Sequence, residues 1–118
     1  MKLNKIAMTF NILIKKTDEE YVAHCLELDI VTTSKDFNQA RQDIFDLIQA
    51  QVDYAFSNDN LNYLFRPAPA EVWQEFYSCK SIEERKIKLK STFRGPPTRF
   101  VPPWIITRTC NPPRFCHA

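Results

Sequence analysis

Ile30-Val31-Thr32-Thr33-Ser34-Lys35-Asp36-Phe37-Asn38-Gln39-Ala40 is where the sequence changes period. Its first four residues are all β-branched, as suits a strand, whereas from Phe37 onward apolar residues recur at three- and four-residue spacing. Phe37, Ala40, Ile44, Leu47, Ile48 and Ala55 form a stripe that Phe45, Val52 and Phe56 widen to one side. The spacing predicts one long amphipathic helix. Asp36 is placed to cap its start, with Gln39 as reciprocal partner, and Asn58-Asp59-Asn60 to stop it.

Upstream the period is two. Met8, Phe10, Ile12 and Ile14 fall on one face of a run whose other face carries Thr9, Asn11 and Lys15. Polar Thr17-Asp18-Glu19-Glu20 separates it from Tyr21-Val22-Ala23-His24-Cys25-Leu26, which predicts an antiparallel hairpin. Glu27-Leu28-Asp29 then makes a corner into Ile30–Thr33, completing a three-stranded meander whose apolar face the helix must cover.

Downstream, Leu61–Phe65 reads as an apolar connector, and Pro67-Ala68-Pro69 leads into a short helix over Ala70–Tyr77. Arg85-Lys86-Ile87-Lys88-Leu89-Lys90 alternates like an edge strand whose lysines discourage aggregation. Gly95-Pro96-Pro97, Pro102-Pro103 and Pro112-Pro113 leave room for one more extended run, Trp104–Thr109. The expected fold class is α+β: a three-stranded antiparallel meander backed by one long helix, then a short helix and an extended Pro-rich basic tail. Residues 1–90 are expected as the α+β domain and residues 91–118 as the basic extension, extended or partly disordered.

Composition narrows the function. The formal net charge of +2 hides an acidic body and a basic end: residues 1–79 carry 7 Lys/Arg against 12 Asp/Glu, residues 80–118 carry 9 against 2. A basic end points to nucleic acid, to an acidic partner, or to neutralisation of its own body. A single glycine, Gly95, excludes the Gly-rich phosphate loops, which need several glycines for close backbone approach. The run Ile6–Ile14 is interrupted by Thr9 and Asn11, so no membrane span is expected, and Lys2 and Lys5 ahead of it do not make it a secretion signal. A cytoplasmic protein without cofactor is expected, its four cysteines free thiols by default.

Ile14-Lys15-Lys16, the polar turn, Tyr21-Val22-Ala23-His24-Cys25-Leu26-Glu27-Leu28-Asp29, and Val31–Ala40 together resemble the HicB-like antitoxin family over about residues 6–56. The resemblance implies a β-β-β-α-β unit, a partial ribonuclease-H-like fold. It also implies a partner, a small basic ribonuclease toxin of the HicA type, held by sequestration, and self-association into a homodimer or higher oligomer. The chain departs from the family pattern in having Glu27-Leu28-Asp29-Ile30 in place of a Pro-x-Leu-Pro-Gly segment, and Lys35-Asp36 in place of Gly-Asp. No helix-turn-helix or ribbon-helix-helix pattern follows Tyr77, so the operator binding of many full-length relatives is not expected here.

On this reading the acidic Asp18, Glu19, Glu20, Glu27 and Asp29 would steer the basic partner in, and Trp73, Phe76 and Tyr77 would anchor it. The alternative is a nucleic-acid-binding accessory protein whose basic, aromatic end uses Arg85, Lys86, Lys88, Lys90, Arg94 and Arg99. Asp18, Glu27, Asp29 and Asp43 are the carboxylates a residual two-metal nuclease would need, but a turn, a strand end and a helix face do not bring them together. His24 and Cys25 are adjacent on a strand and so point to opposite faces, which excludes a nucleophile and base pair between them. Cys79, Cys110, Cys116 and His117 lack the spacing of a metal site. Neither a catalytic nor a metal residue is assigned.

Overall fold

The computed structural model describes residues 7–58, 64–88 and 104–112. Strands β1 (Ala7–Lys16), β2 (Tyr21–Cys25) and β3 (Ile30–Ser34) precede helix α1 (Phe37–Ser57) and helix α2 (Ala70–Tyr77), and strands β4 (Ile82–Lys88) and β5 (Trp104–Cys110) follow. The class is α+β, with one mixed five-stranded sheet in the order β3-β2-β1-β5-β4.

The meander forms as the alternation requires. β1 and β2 pair antiparallel with Ile12 opposite Cys25, and β2 and β3 with Cys25 opposite Ile30. The backbone N–H of Thr17 donates to the Glu20 carbonyl at 2.8 Å and closes the hairpin. Register puts Phe10, Ile12, Ile14, Ala23 and Cys25 on one face, and α1 lies over them with Ala40, Ile44, Phe45, Ile48, Val52, Ala55 and Phe56 buried. Leu47 is only half-buried, at the margin of the stripe. Asp36 caps the helix, its Oδ2 accepting from the Gln39 N–H at 2.9 Å, but the Gln39 side chain donates forward to Asp43 at 2.7 Å. The cap is therefore one-sided and no reciprocal box forms.

The largest difference from expectation lies at Trp104–Cys110. The run is extended, but it is an interior strand of the sheet and not part of a tail: β5 pairs parallel with β1, Met8 opposite Ile105 and Ile12 opposite Thr109, and antiparallel with β4. Its inward face, Ile105, Thr107 and Thr109, is buried beneath α1's layer, and Ile105 joins the main core. β4 is the outer strand, as its lysines predict, though it runs from Ile82 to Lys88. The remainder of the expected extension, residues 91–103 and 113–118, lies outside the described residues, as do Asp59 and Asn60.

α2 packs on the opposite face of the sheet. Phe76 is buried there with Leu13, Leu26, Ala68 and Cys110, and Val72, Trp73 and Cys79 lean on the cluster. A disulfide between Cys79 and Cys110 joins the segment after α2 to the end of β5, across a sequence separation of 31 residues. This corrects the expectation of free thiols, and it removes Cys79 and Cys110 as metal ligands. A separation of 31 positions gives no local signal for such a pair. Cys25 alone is free among the described cysteines, and it is buried.

Two outcomes test this arrangement. Replacing Cys79 and Cys110 by Ser removes a cross-link that, by loop-closure entropy, contributes about 3–4 kcal/mol. The urea midpoint of the variant should equal that of the reduced wild type and lie well below that of the oxidised wild type. Ending the chain before Trp104 should abolish cooperative unfolding followed by circular dichroism, because β1 then loses one of its two neighbours; a dispensable tail would leave the transition intact.

Candidate functional site

The acidic residues singled out in the sequence fall into two groups at opposite ends of β2, which at five residues is about 17 Å long. Asp18 and Glu19 are exposed at the tip of the β1–β2 hairpin, with Glu20 half-buried beside them. Glu27 and Asp29 belong to the turn after β2. The five carboxylates do not form one patch.

Glu27 has an internal task. β2 parts from β1 after Leu26, whose N–H still donates to the Asn11 carbonyl at 2.9 Å while its own carbonyl turns to accept from the Ala68 N–H at 2.7 Å. The Asn11 N–H thereby loses its partner in the ladder. The Glu27 carboxylate replaces it, Oε1 accepting from the Asn11 backbone at 2.7 Å and Oε2 from the Asn11 side-chain amide. Burial raises the Glu27 pKa above the ordinary carboxylate value, with the Asn11 hydrogen bonds opposing the shift. A half-buried carboxylate occupied in this way is not a steering charge. Asp29 is exposed and adopts a positive φ of 53°, and it lies 2.7 Å from the His24 ring Nε2. His24 and Cys25 do point to opposite faces. Burial, with the Glu27 charge adding to it, pushes the Cys25 thiol up to about 12, so at neutral pH it is not a nucleophile.

The aromatic trio on α2 also divides. Phe76 is 1% exposed and belongs to the core, which removes it as a surface anchor; i, i+4 geometry turns Val72 and Phe76 inward together. Tyr77 is 72% exposed, and its ring stands 6.0 Å from that of half-buried Trp73. Lys15, at the end of β1 next to the acidic hairpin, bridges to Glu75 on α2 at 3.1 Å. Glu75 thus comes beside the hairpin end of β1, whereas Trp73 and Tyr77 project from the other flank of α2 and form a separate aromatic surface. Sequence reading missed Glu75, because α2 must be placed on the sheet before it joins the hairpin.

The basic set does not line one face. Arg85 points to the α1 side, where it meets Glu83 at 3.3 Å, and Glu83 also takes a bond from Arg41 at 2.8 Å. Lys86 points to the other side, with its Nζ 4.7 Å from the Trp104 ring centroid, and Lys88 alternates to the same side. Arg108, absent from the sequence-derived set, faces that side near Glu84 at 3.9 Å. Lys90, Arg94 and Arg99 lie outside the described residues.

The candidate nuclease carboxylates stay apart: Asp18 on the hairpin, Glu27 on Asn11, Asp29 by His24, and Asp43 receiving Gln39 on α1. Among the described residues no three His, Cys, Asp or Glu side chains gather where they could hold a metal ion. A groove of about 450 Å³ runs between the β2–β3 turn and the second half of α1, with Asp29, Tyr54 and Arg66 in its walls. No described helix is long and apolar enough to cross a membrane. No family model, no curated protein and no solved structure matches this chain.

The Glu27 site makes a pH prediction. A carboxyl whose folded pKa exceeds its unfolded value keeps a proton that the unfolded chain has released. Stability therefore falls as pH rises from the ordinary value of 4.5 through the folded one, then levels. Glu27→Gln preserves an acceptor for the Asn11 N–H and, with the Asn11 amide turned over, donates to Asn11 Oδ1, which is buried without a partner. Urea unfolding measured from about pH 4 to about pH 8 should show that fall in the wild type and not in the variant.

Proposed function

We propose that this chain is a non-enzymatic protein-binding module of the HicB-antitoxin kind, which sequesters a small basic ribonuclease toxin of the HicA type. The observation that carries the reading is topological. A three-stranded meander, a helix laid over it, and a last strand entering parallel beside the first give the β-β-β-α-β order that the resemblance implies, with α2 and β4 inserted before that last strand.

Binding would use the hairpin tip and the exposed aromatic flank of α2. Asp18 and Glu19 project into solvent and supply the field that accelerates encounter with a basic surface. Tyr77 supplies a large, stiff contact area, backed by Trp73, at little cost in side-chain entropy. Occlusion of the toxin is the activity, and no bond is made or broken. The reading includes self-association, and a cytoplasmic site of action, where the Cys79–Cys110 pair would face a reducing glutathione pool.

The second reading, an accessory nucleic-acid binder, has one observation in its favour: Lys86, Trp104 and Arg108 share the sheet face turned away from α1. It calls for affinity that falls steeply with salt and is lost on substituting those three residues.

The test is co-purification with the product of the adjacent reading frame, followed by binding titration. A small basic ribonuclease should be retained. Tyr77→Ala, at a position that contributes little to the fold, should weaken the complex by about 10- to 30-fold, the loss of an interface anchor of about 1.4–2 kcal/mol. Asp18→Lys with Glu19→Lys should slow association and flatten its salt dependence while leaving dissociation nearly unchanged. Retention of no such partner overturns the reading.

A further inference from the structure

The sheet ends on β4, and the described residues include no strand beyond it. Ser81 accepts from the Asn111 N–H at 3.1 Å, and Ile82 stands opposite Cys110. Antiparallel alternation then assigns the backbone groups of Ser81, Glu83, Arg85 and Ile87 to β5. Those of Ile82, Glu84, Lys86 and Lys88 are turned outward. Four residues thus present N–H and C=O groups along an edge seven residues long that no described strand pairs. β3, the other outer strand, has five residues and turns only Val31 and Thr33 outward.

We propose that the edge of β4 is the self-association surface, and that its occupant is the β4 edge of a second copy, paired antiparallel about a two-fold axis at Arg85. A two-fold axis normal to a continuous sheet keeps each side chain on its own face, so each residue must oppose one an even number of positions away. With Arg85 on the axis, Glu84 of each chain opposes Lys86 of the other, and Ile82 opposes Lys88. All four are residues with outward backbone groups, so the strands meet as hydrogen-bonded pairs along the full length of β4.

Charge favours this register. Two Glu–Lys pairs form on the face away from α1, and each Lys88 stem can cover an Ile82 that is 39% exposed in the single chain. On the other face the two Arg85 side chains approach, but each already meets its own Glu83, and each Glu83 lies on the diagonal to the other copy's Arg85. Each Glu83 carboxylate is thus placed between its own Arg41 and Arg85 and the other copy's Arg85. Moving the axis to Glu84 or Lys86 shortens the ladder and opposes that residue to itself on the face where the Glu–Lys pairs would otherwise form. The lysines that protect this edge from unrelated strands are, in this one register, matched by glutamates of the same strand.

This deepens the self-association part of the proposed function and involves no toxin. Its readout is the mass of the chain alone, so it and the sequestration reading can fail separately. By light scattering and sedimentation, the full-length wild type should show twice the 13.9 kDa of one chain. Glu84→Lys and Lys86→Glu should each raise the dimer dissociation constant by at least about tenfold, since each puts two like-charge pairs across the axis. Mixing the two single variants should restore the dimer as a heterodimer, detectable by native mass spectrometry, and the double variant Glu84→Lys/Lys86→Glu should dimerise with itself. A monomeric wild type, a dimer whose mass survives either single substitution, or single variants that do not recombine on mixing would overturn the proposal.

Discussion

Parallel pairing between β1 and β5 is the constraint on which the structure depends. β1 is the middle strand, with β2 on one side and β5 on the other, and it supplies Phe10, Ile12 and Ile14 to the main core and Leu13 to the smaller one. A strand buried on both faces tolerates few unpaired backbone groups, because each costs the desolvation of a donor or acceptor. β5 satisfies one edge of β1, and it carries β4 into the sheet with it. Without β5 the meander and α1 would leave Phe10 and Ile12 beside an open edge.

Around that constraint the polar groups are arranged to complete ladders. Glu27 takes the Asn11 N–H that β2 abandons, and the segment at Arg66 and Ala68 takes the carbonyls of Glu27 and Leu26. Both repairs lie where the chain turns from strand to connector, and both tie residues far apart in sequence. The Cys79–Cys110 link works in the same region, holding the end of β5 to the chain that leaves α2. Charge, backbone pairing and a covalent bond thus all reinforce the side of the sheet that α1 does not cover.

The division of labour between the two faces bears on function. α1 seals one face with an aliphatic and aromatic layer, and the groups with unusual chemistry on that side, Cys25 above all, are buried and unreactive. The exposed groups that our proposals use lie outside that layer: the hairpin carboxylates at the β1–β2 tip, Tyr77 on α2, and the outer strand β4. Exposed charge and aromatic area are what the sequestering role we propose calls for, since sequestration depends on shape, charge and area.

The sequence by itself determined the local elements. The change of period at Asp36, the polar hairpin, the proline before Ala70 and the alternation after Ile82 each act over a few residues, and each specifies its element through backbone preference and the burial of one face. The same local logic separated His24 from Cys25 and put lysines on an outer strand. Only the tertiary structure decided that Trp104–Cys110 is an interior strand, that Cys79 meets Cys110, that Glu27 serves Asn11, and that Phe76 is core while Tyr77 is surface. Each of these is a pairing across 16 to 97 positions or a choice of which side of a short helix meets the sheet. Such choices depend on which distant surface is available to be covered, and no periodicity within a single segment encodes it.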